Sequence, residues 1–353
     1  MIVEFLQTSS LFKVLTLEDK ELWNDYLRKS CAYDFYQTWD YHVLDKQGQV
    51  FMFVYEKNDL FIGIPLVRRT IAETGYYDCT CVYGYAGPVS NIDFSLLSTS
   101  FICEFHEVFR NYLLSEKIVT LFTILNPLFN QEPLFPTSSF DLKVVGKTIA
   151  IDLRQPLEQQ RLQYRRQIRM KVNQLRKKGF TVKKADTRSE LNDFIDIYFE
   201  NMLKVGANSK YFFEHTYFEK FMASEGFSPM LIGAYYEGRM IAGAMVGMTG
   251  NIMQLHLAGT RNEFLRESPM KLIFDEATLI GRLHNMHYLH LGSGVSGKED
   301  SLFHFKQGFS ENLYDFTVWR YVVDEPVYTD IVKEMSKEKT APDTDLFPLY
   351  RFM

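Results

Sequence analysis

The sequence predicts a mixed α/β layer fold, of the α+β kind, organised as two similar halves. Three observations lead there. At 353 residues the chain has room for about two domains of roughly 150 residues each. Helix-patterned and strand-patterned segments alternate along it in mixed order, and a hairpin-like motif recurs half a chain apart. Apolar residues make up 46% of the chain and charged residues 24%, enough to fill a core in each half. That excludes disordered, collagen-like and low-complexity classes.

In the first half, Leu17 to Lys29 has helical spacing, with Leu22, Trp23, Tyr26 and Leu27 on adjoining faces. Val50 to Tyr55 and Leu60 to Val67 read as strands flanking the turn Glu56-Lys57-Asn58-Asp59. Ile92 to Leu114 reads as a helix, Ile118 to Leu125 as a strand, and Val144 to Leu153 as the strand that closes this half. Pro156 stands where a helix can begin, which sets domains over residues 1–154 and 155–320. The tail, 321–353, carries Leu346, Phe347, Leu349, Tyr350 and Phe352, which favour its packing back on the first domain.

The second half repeats the plan. A basic helix from Arg161 ends near Gly179, a strand starts at Phe180, and helices follow over Glu190 to Val205 and near Tyr217 to Ala223. Three strands lie between Pro229 and Gly259, then a helix from Ser268 to Leu283, the strand His287 to Leu291, a glycine-rich turn, a short helix and a last strand through Trp319. Met240 to Thr260 runs 21 residues without a charge, about the length of a membrane span. Thr249-Gly250-Asn251 divides it, and Gln254 and His256 alternate with apolar neighbours, so it reads as a buried hairpin. The repeat joins the halves: Tyr55 to Gly63 and Tyr235 to Gly243 each run from an aromatic strand end through a polar turn to an apolar pair and a glycine.

Lysine and arginine number 39 against 44 aspartates and glutamates, and the net charge of −5 excludes a protein that coats DNA with its whole surface. Any anionic partner must meet a local patch. Cys31, Cys79, Cys81 and Cys103 show no zinc spacing and read as reduced thiols. The start lacks a basic residue before its short apolar run, unlike a secretory signal, so a cytoplasmic location is expected. His284, His287 and His290 are spaced by three, but the run leaves a helix for a strand, so no metal site is expected. The nucleotide-binding glycine fingerprints of kinases and dehydrogenases are missing.

The most informative stretch runs from His290 to Ser310. Gly292, Gly294 and Gly297 after a strand free the backbone to turn sharply and present amides, Asp300 or Ser301 can cap the following helix, and Lys306 arrives on that helix beside the loop. A lysine so delivered can stabilise a developing oxyanion or hold a phosphate. Without the glycines it would read as an ordinary solvated lysine.

The run from Gly292 through Lys298-Glu299-Asp300 to Phe305-Lys306-Gln307-Gly308-Phe309-Ser310 closely resembles the C-terminal signature of the Fem-type transferases, which make peptidoglycan interpeptide bridges and resemble two fused GNAT-type acyltransferase domains. The basic helix, the Tyr211-Phe212 and Tyr217-Phe218 pairs, the central hairpin and Ser268-Pro269 appear in the same order, so the resemblance covers about residues 150 to 320. The first half matches less tightly, through Gly87-Pro88-Val89 and Leu125-Asn126-Pro127. Two tandem GNAT-like domains are therefore expected, with substrate in the cleft between them and along splayed strands of the second. The resemblance implies an amide-forming transfer of an aminoacyl or acyl group onto an amine of a cell-wall or surface-glycan precursor. It places Phe305 and Lys306 at the transfer site and Phe309 beside it. Relatives often carry an acid where Asn126 stands, which leaves a first-domain carboxylate unaccounted for.

No tightly bound cofactor is expected, and the acyl donor is either aminoacyl-tRNA or acyl-CoA. GNAT proteins that use CoA cradle its pyrophosphate with a glycine-rich loop opening a helix. Here that place reads Arg266-Glu267-Ser268-Pro269-Met270-Lys271, with both glycines missing and a proline that has no N–H. Between Arg161 and Lys178, eight cations, Arg165, Arg166 and Arg169 among them, fall in eighteen residues without an acid. This segment reads either as a phosphate-binding stripe or as a solvated amphipathic helix burying Leu162, Ile168, Val172 and Leu175. His256 falls where relatives often carry a tyrosine and either lines the acceptor channel or sits as a satisfied core histidine, and Tyr211 joins the substrate-binding set with Gly292 and Gly294. Tyr83 and Tyr85, near Tyr76, Tyr77, Asp78 and Arg68-Arg69, form an aromatic rim suited to a sugar or peptide, or to packing. A lipid-linked acceptor would bring peripheral membrane contact. The alternatives are a CoA-dependent N-acyltransferase acting on an amino sugar and a non-catalytic binding module of the same fold.

Overall fold

The computed structural model describes residues 12–136, 141–336 and 346–352. It divides into two compact units: residues 1–143 with 317–353, and residues 144–316.

In the first unit, β1 (Phe12–Thr16), β2 (Gln49–Lys57), β3 (Leu60–Thr70), β4 (Tyr77–Thr80) and β6 (Ile118–Ile124) form a sheet in that order, with the short β5 (Val89–Ser90) paired to β3. Helices α1 (Lys20–Lys29), α2 (Trp39–His42) and α3 (Thr99–Ser115) accompany them. The expected helix from Ile92 starts instead at Thr99, because the Ser98 side chain accepts from the Phe101 N–H and Asp93 caps a separate short 3₁₀ turn, Phe94–Leu96. The core is aromatic: Phe53, Tyr55, Phe105, Phe109 and Trp319 are completely buried.

In the second unit the sheet order is β7 (Leu142–Asp152), β12 (Tyr288–Gly292), β11 (Ile252–Thr260), β10 (Arg239–Thr249), β9 (Ser228–Tyr236) and β8 (Thr181–Ala185). Around it run α4 (Leu157–Leu162), α5 (Arg166–Lys177), α6 (Arg188–Lys204), α7 (His215–Met222), α8 (Met270–Leu283) and α9 (Ser301–Gln307). The strand read as closing the first half belongs here, since β7 pairs antiparallel with β12, from Asp152 opposite Tyr288 to Ile149 opposite Gly292. The chain then runs through β13 (Leu313–Val322), whose Val318–Val322 pair with β6, and α10 (Glu325–Ser336). Tyr350 is buried in the first unit, hydrogen-bonded to Thr120 at 2.6 Å, whereas Phe352 is exposed.

The two hairpins that repeat in sequence repeat in backbone. Asn58 and Asp59 have φ of 52° and 62°, Glu237 and Gly238 of 49° and 78°, so each turn consists of two left-handed residues, the geometry whose twist suits a two-residue hairpin. The chargeless segment is the β10–β11 hairpin. Among the described residues, no helix is long and apolar enough to cross a membrane. The four cysteines are free thiols.

The basic segment departs from one continuous helix. Gln163 to Arg165 break it, because the Arg165 backbone is extended, with ψ of 140°, and its N–H donates to the Gly308 carbonyl. Helix α5 then buries Ile168, Val172 and Leu175 against the second core.

Candidate active site

The site begins with a fork in the second sheet. β11 and β12 run parallel and pair over three positions, from Ile252 opposite Tyr288 to Gln254 opposite His290, and share no ladder hydrogen bonds beyond. On its other side, β11 opposes Leu255 to Val246 and Leu257 to Met245, so His256 is the extra residue of a β-bulge. The strands therefore part at the level where one of them is bent. At the apex, His290 Nδ1 donates to Gln254 Oε1 at 2.7 Å. Burial, followed by the charge of Lys306, pushes His290 down to about 3, so its imidazole is neutral.

β12 ends in Gly292, at φ of 77°, a left-handed conformation that glycine adopts without strain. A Cβ on Gly294 would collide with the Lys298 carbonyl and the Asp300 carboxylate, so this turn too requires glycine. Asp300 closes it, accepting from the Val295 and Phe303 N–H groups at 2.9 Å each and thereby capping α9. The cap fixes where Lys306 emerges. Lys306 is only 9% exposed, and its Nζ donates to the Ser293 carbonyl at 2.6 Å. Burial pushes its pKa down to about 8, with Asp300 opposing the shift. The second unit thus delivers a buried ammonium to the end of the strand that forms one arm of the fork.

Phe305 is half-buried against Phe274 and Phe309, with ring centroids 5.7 Å away in each case. Phe309 is wholly buried just past the end of α9, packed on Tyr164 and Phe274, and is a core residue. His256 is bonded through Nε2 to the Tyr217 hydroxyl at 2.6 Å and stacks on Phe221 at 4.9 Å. Burial pushes its pKa down to about 3, so it too is neutral. Tyr211 is half-buried and joins this aromatic corner by its carbonyl, which accepts from the Tyr198 hydroxyl.

The basic residues divide. Arg161 grips buried Asp275 with two hydrogen bonds, and Arg176 also donates to Asp275. Lys171 and Lys178 pair with Glu267 at 2.9 and 3.0 Å. Arg165 bonds the His304 carbonyl and Gln307, bracing α9 from outside. Arg166 and Arg169 lie on the outward side of α5. Asp275 escaped the sequence reading; its signal was an acid on the apolar face of α8, which buries Leu272, Ile273, Phe274 and Ala277 around it. At the start of α8, Pro269 stands at the cap without an N–H, Ser268 has φ of 56°, and the adjoining Glu267 carboxylate is held by two lysines. A pyrophosphate there would meet a carboxylate and a short supply of amides.

The first unit holds Tyr83 and Tyr85. Tyr83 is 44% exposed, and its carbonyl accepts from the Tyr41 hydroxyl; Tyr85 is buried and packs on Tyr36. Asn126 brings a carboxyl after all. Its amide donates to Asp34 Oδ2 at 3.1 Å, and burial raises the completely buried Asp34 to about 7. His287 turns to Asn251 while His290 turns to Gln254. Among the described residues no His, Cys, Asp and Glu cluster is arranged to hold a metal ion.

Residues 163–306 match the acetyltransferase (GNAT) domain family. No curated protein sequence matches the chain. Among solved structures, FemX is similar over 91% of this chain and 99% of its own, with a TM-score of 0.70 at 13% identity. L-PGS from Bacillus licheniformis is similar over 93% and 99%, with 0.56 at 12% identity. The C-terminal domain of a putative lysylphosphatidylglycerol synthetase from Agrobacterium fabrum is similar over 86% and 91%, with 0.54 at 13% identity. Residues 163–306 thus form a domain of the acetyltransferase (GNAT) family, and the chain shares its fold with FemX along nearly its whole length.

Proposed function

We propose that the protein forms an amide by moving an aminoacyl group onto an amine of a peptidoglycan or surface-glycan precursor in the cytoplasm, with Lys306 as the catalytic electrophile. The observation that carries this reading is the buried Lys306 ammonium at the end of β12, where β12 and β11 part. The acceptor amine adds to the ester carbonyl, forming the C–N bond and a tetrahedral intermediate whose collapse breaks the C–O bond to the donor, and the amine's proton passes to water or to the departing alkoxide oxygen. The negative oxygen of the tetrahedral intermediate is met by the ammonium in a water-poor site, where a fixed charge acts strongly. Holding amine and carbonyl about 3 Å apart supplies much of the remaining acceleration. Phe305 walls the site, Gly292 and Gly294 shape its turn, and Phe309 supports it from the core. His256, neutral and tied to Tyr217, borders the acceptor with Tyr211, and a lipid-linked acceptor would bring the protein to a membrane. Tyr83 and Tyr85 are proposed as the first domain's substrate contacts.

Aminoacyl-tRNA is favoured over acyl-CoA as donor by the carboxylate of Glu267 and the proline cap at the start of α8. The CoA-dependent N-acyltransferase remains the second reading because Lys271 and the amides of α8 stand there. Intact-mass screening of the protein with charged tRNAs and acyl-CoAs, against muropeptide and amino-sugar acceptors, separates them. Deacylation of a charged tRNA with an acceptor gaining the aminoacyl mass supports the proposal, whereas CoA release with an acylated sugar replaces it with the second reading. No transfer from either donor, with Lys306→Ala leaving cellular product levels unchanged, favours a binding module.

A further inference from the structure

Helix α5 carries a face the transfer site does not use. Arg166, Arg169, Met170, Asn173 and Lys177 follow the spacing i, i+3, i+4, i+7, i+11, one side of a helix, opposite the buried Ile168, Val172 and Leu175. Leu162, at the end of α4, joins them because Arg169 donates to its carbonyl at 3.1 Å. Two large apolar side chains stand in water here: Leu162 is 71% exposed and Met170 61%. Four cations of the basic segment, Arg161, Lys171, Arg176 and Lys178, are spent on Asp275, Glu276 and Glu267, but among the described residues no carboxylate pairs with Arg166, Arg169 or Lys177. On a chain of net charge −5 this is a locally positive ridge with apolar teeth.

We infer that this face docks on the surface of a bilayer rich in anionic phospholipid, with Leu162 and Met170 entering the headgroup–acyl boundary and Arg166, Arg169 and Lys177 meeting the phosphates. The mixture decides between polyanions. Nucleic acid phosphates would be met by the cations alone and leave both apolar side chains without a role, whereas an interfacial site uses both kinds of group. The long arginine and lysine stems suit such a site, since they lay methylenes along apolar surface while the charge stays in the headgroups. The inference does not depend on which donor or acceptor the enzyme uses.

The test is co-sedimentation of the full chain with phosphatidylglycerol-rich vesicles and with pure phosphatidylcholine vesicles at low salt. The wild type should partition to the anionic vesicles and be released by salt. R166Q/R169Q/K177Q should weaken partitioning about 100-fold, from roughly a factor of five per basic residue, and L162S/M170S about 10-fold. All five side chains are outside the core, so the variants should keep the wild-type circular dichroism, which is checked. Absence of wild-type binding to anionic vesicles, or a folded triple variant that partitions like wild type, overturns the proposal. So does retention of tRNA lost in the triple variant when vesicles are not bound, which reassigns the face to nucleic acid.

Discussion

Replacing Lys306 with Met separates the two consequences of a buried ammonium. Methionine keeps most of the side-chain volume and removes the charge. Burial lowers the lysine's pKa from its ordinary value to about 8, and at 1.36 kcal/mol per pH unit this costs about 3 kcal/mol while the group is charged in both folded and unfolded chains. Loss of the hydrogen bond to Ser293 returns about 1 kcal/mol of that, so Lys306→Met should be more stable than wild type by about 2 kcal/mol at neutral pH. The lysine's cost is complete below about pH 8 and fades as the pH rises to the unfolded value, above which neither state holds the proton. The stability advantage of the variant should therefore shrink on the alkaline side. Its kcat should fall by about 10²- to 10³-fold, the loss typical of one oxyanion donor, and wild-type activity should decline as pH rises through about 8. Urea denaturation across pH, with turnover on the donor identified by mass, measures both. A variant as active as wild type, or one no more stable at neutral pH, refutes the reasoning.

Asp275→Asn leaves Arg161 and Arg176 facing a neutral group in a site where the carboxylate is 1% exposed; unfolding stability should drop by about 3 kcal/mol, read from the urea midpoint. Gly294→Ala forces the new methyl against Lys298 and Asp300 and should shift α9 enough to cut turnover about 100-fold, with far-UV circular dichroism unchanged. Asp34, raised to about 7, is favoured in its protonated form by the fold, so wild-type stability should fall as pH rises from the ordinary aspartate range to about 7 and level off above. Asp34→Asn should flatten that slope in thermal melts taken across the range.

What could be read from the sequence was whatever local chemistry fixes. The two hairpins were legible because in each a polar turn, Asn58-Asp59 and Glu237-Gly238, separates an aromatic strand end from an apolar pair and a glycine. Lys306 was legible because glycines precede it and Asp300 caps its helix. What long-range pairing decides was hidden. Nothing in Gln163-Tyr164-Arg165 opposes a helix; the break comes from the Arg165 N–H bonding Gly308, far along the chain. The bulge at His256 exists only in the register of β11 against β10. Asp34 and Asn126 are 92 residues apart, and neither has a neighbour that announces the other.

The basic segment shows why counting charge is weaker than locating it. Eight cations without an acid suggested a stripe for phosphates, yet half of them hold α5 and α4 against α8 through Asp275, Glu276 and Glu267. Because Glu267 sits directly before the helix end where a GNAT domain would receive a pyrophosphate, the lysines that neutralise it also keep that carboxylate in place. Freeing the end for an anion would mean breaking both ion pairs. A donor gripped elsewhere than by a pyrophosphate meets no such obstacle, and Glu267→Gln distinguishes the cases: it should raise affinity for CoA if the helix end receives a pyrophosphate and leave a tRNA donor unaffected.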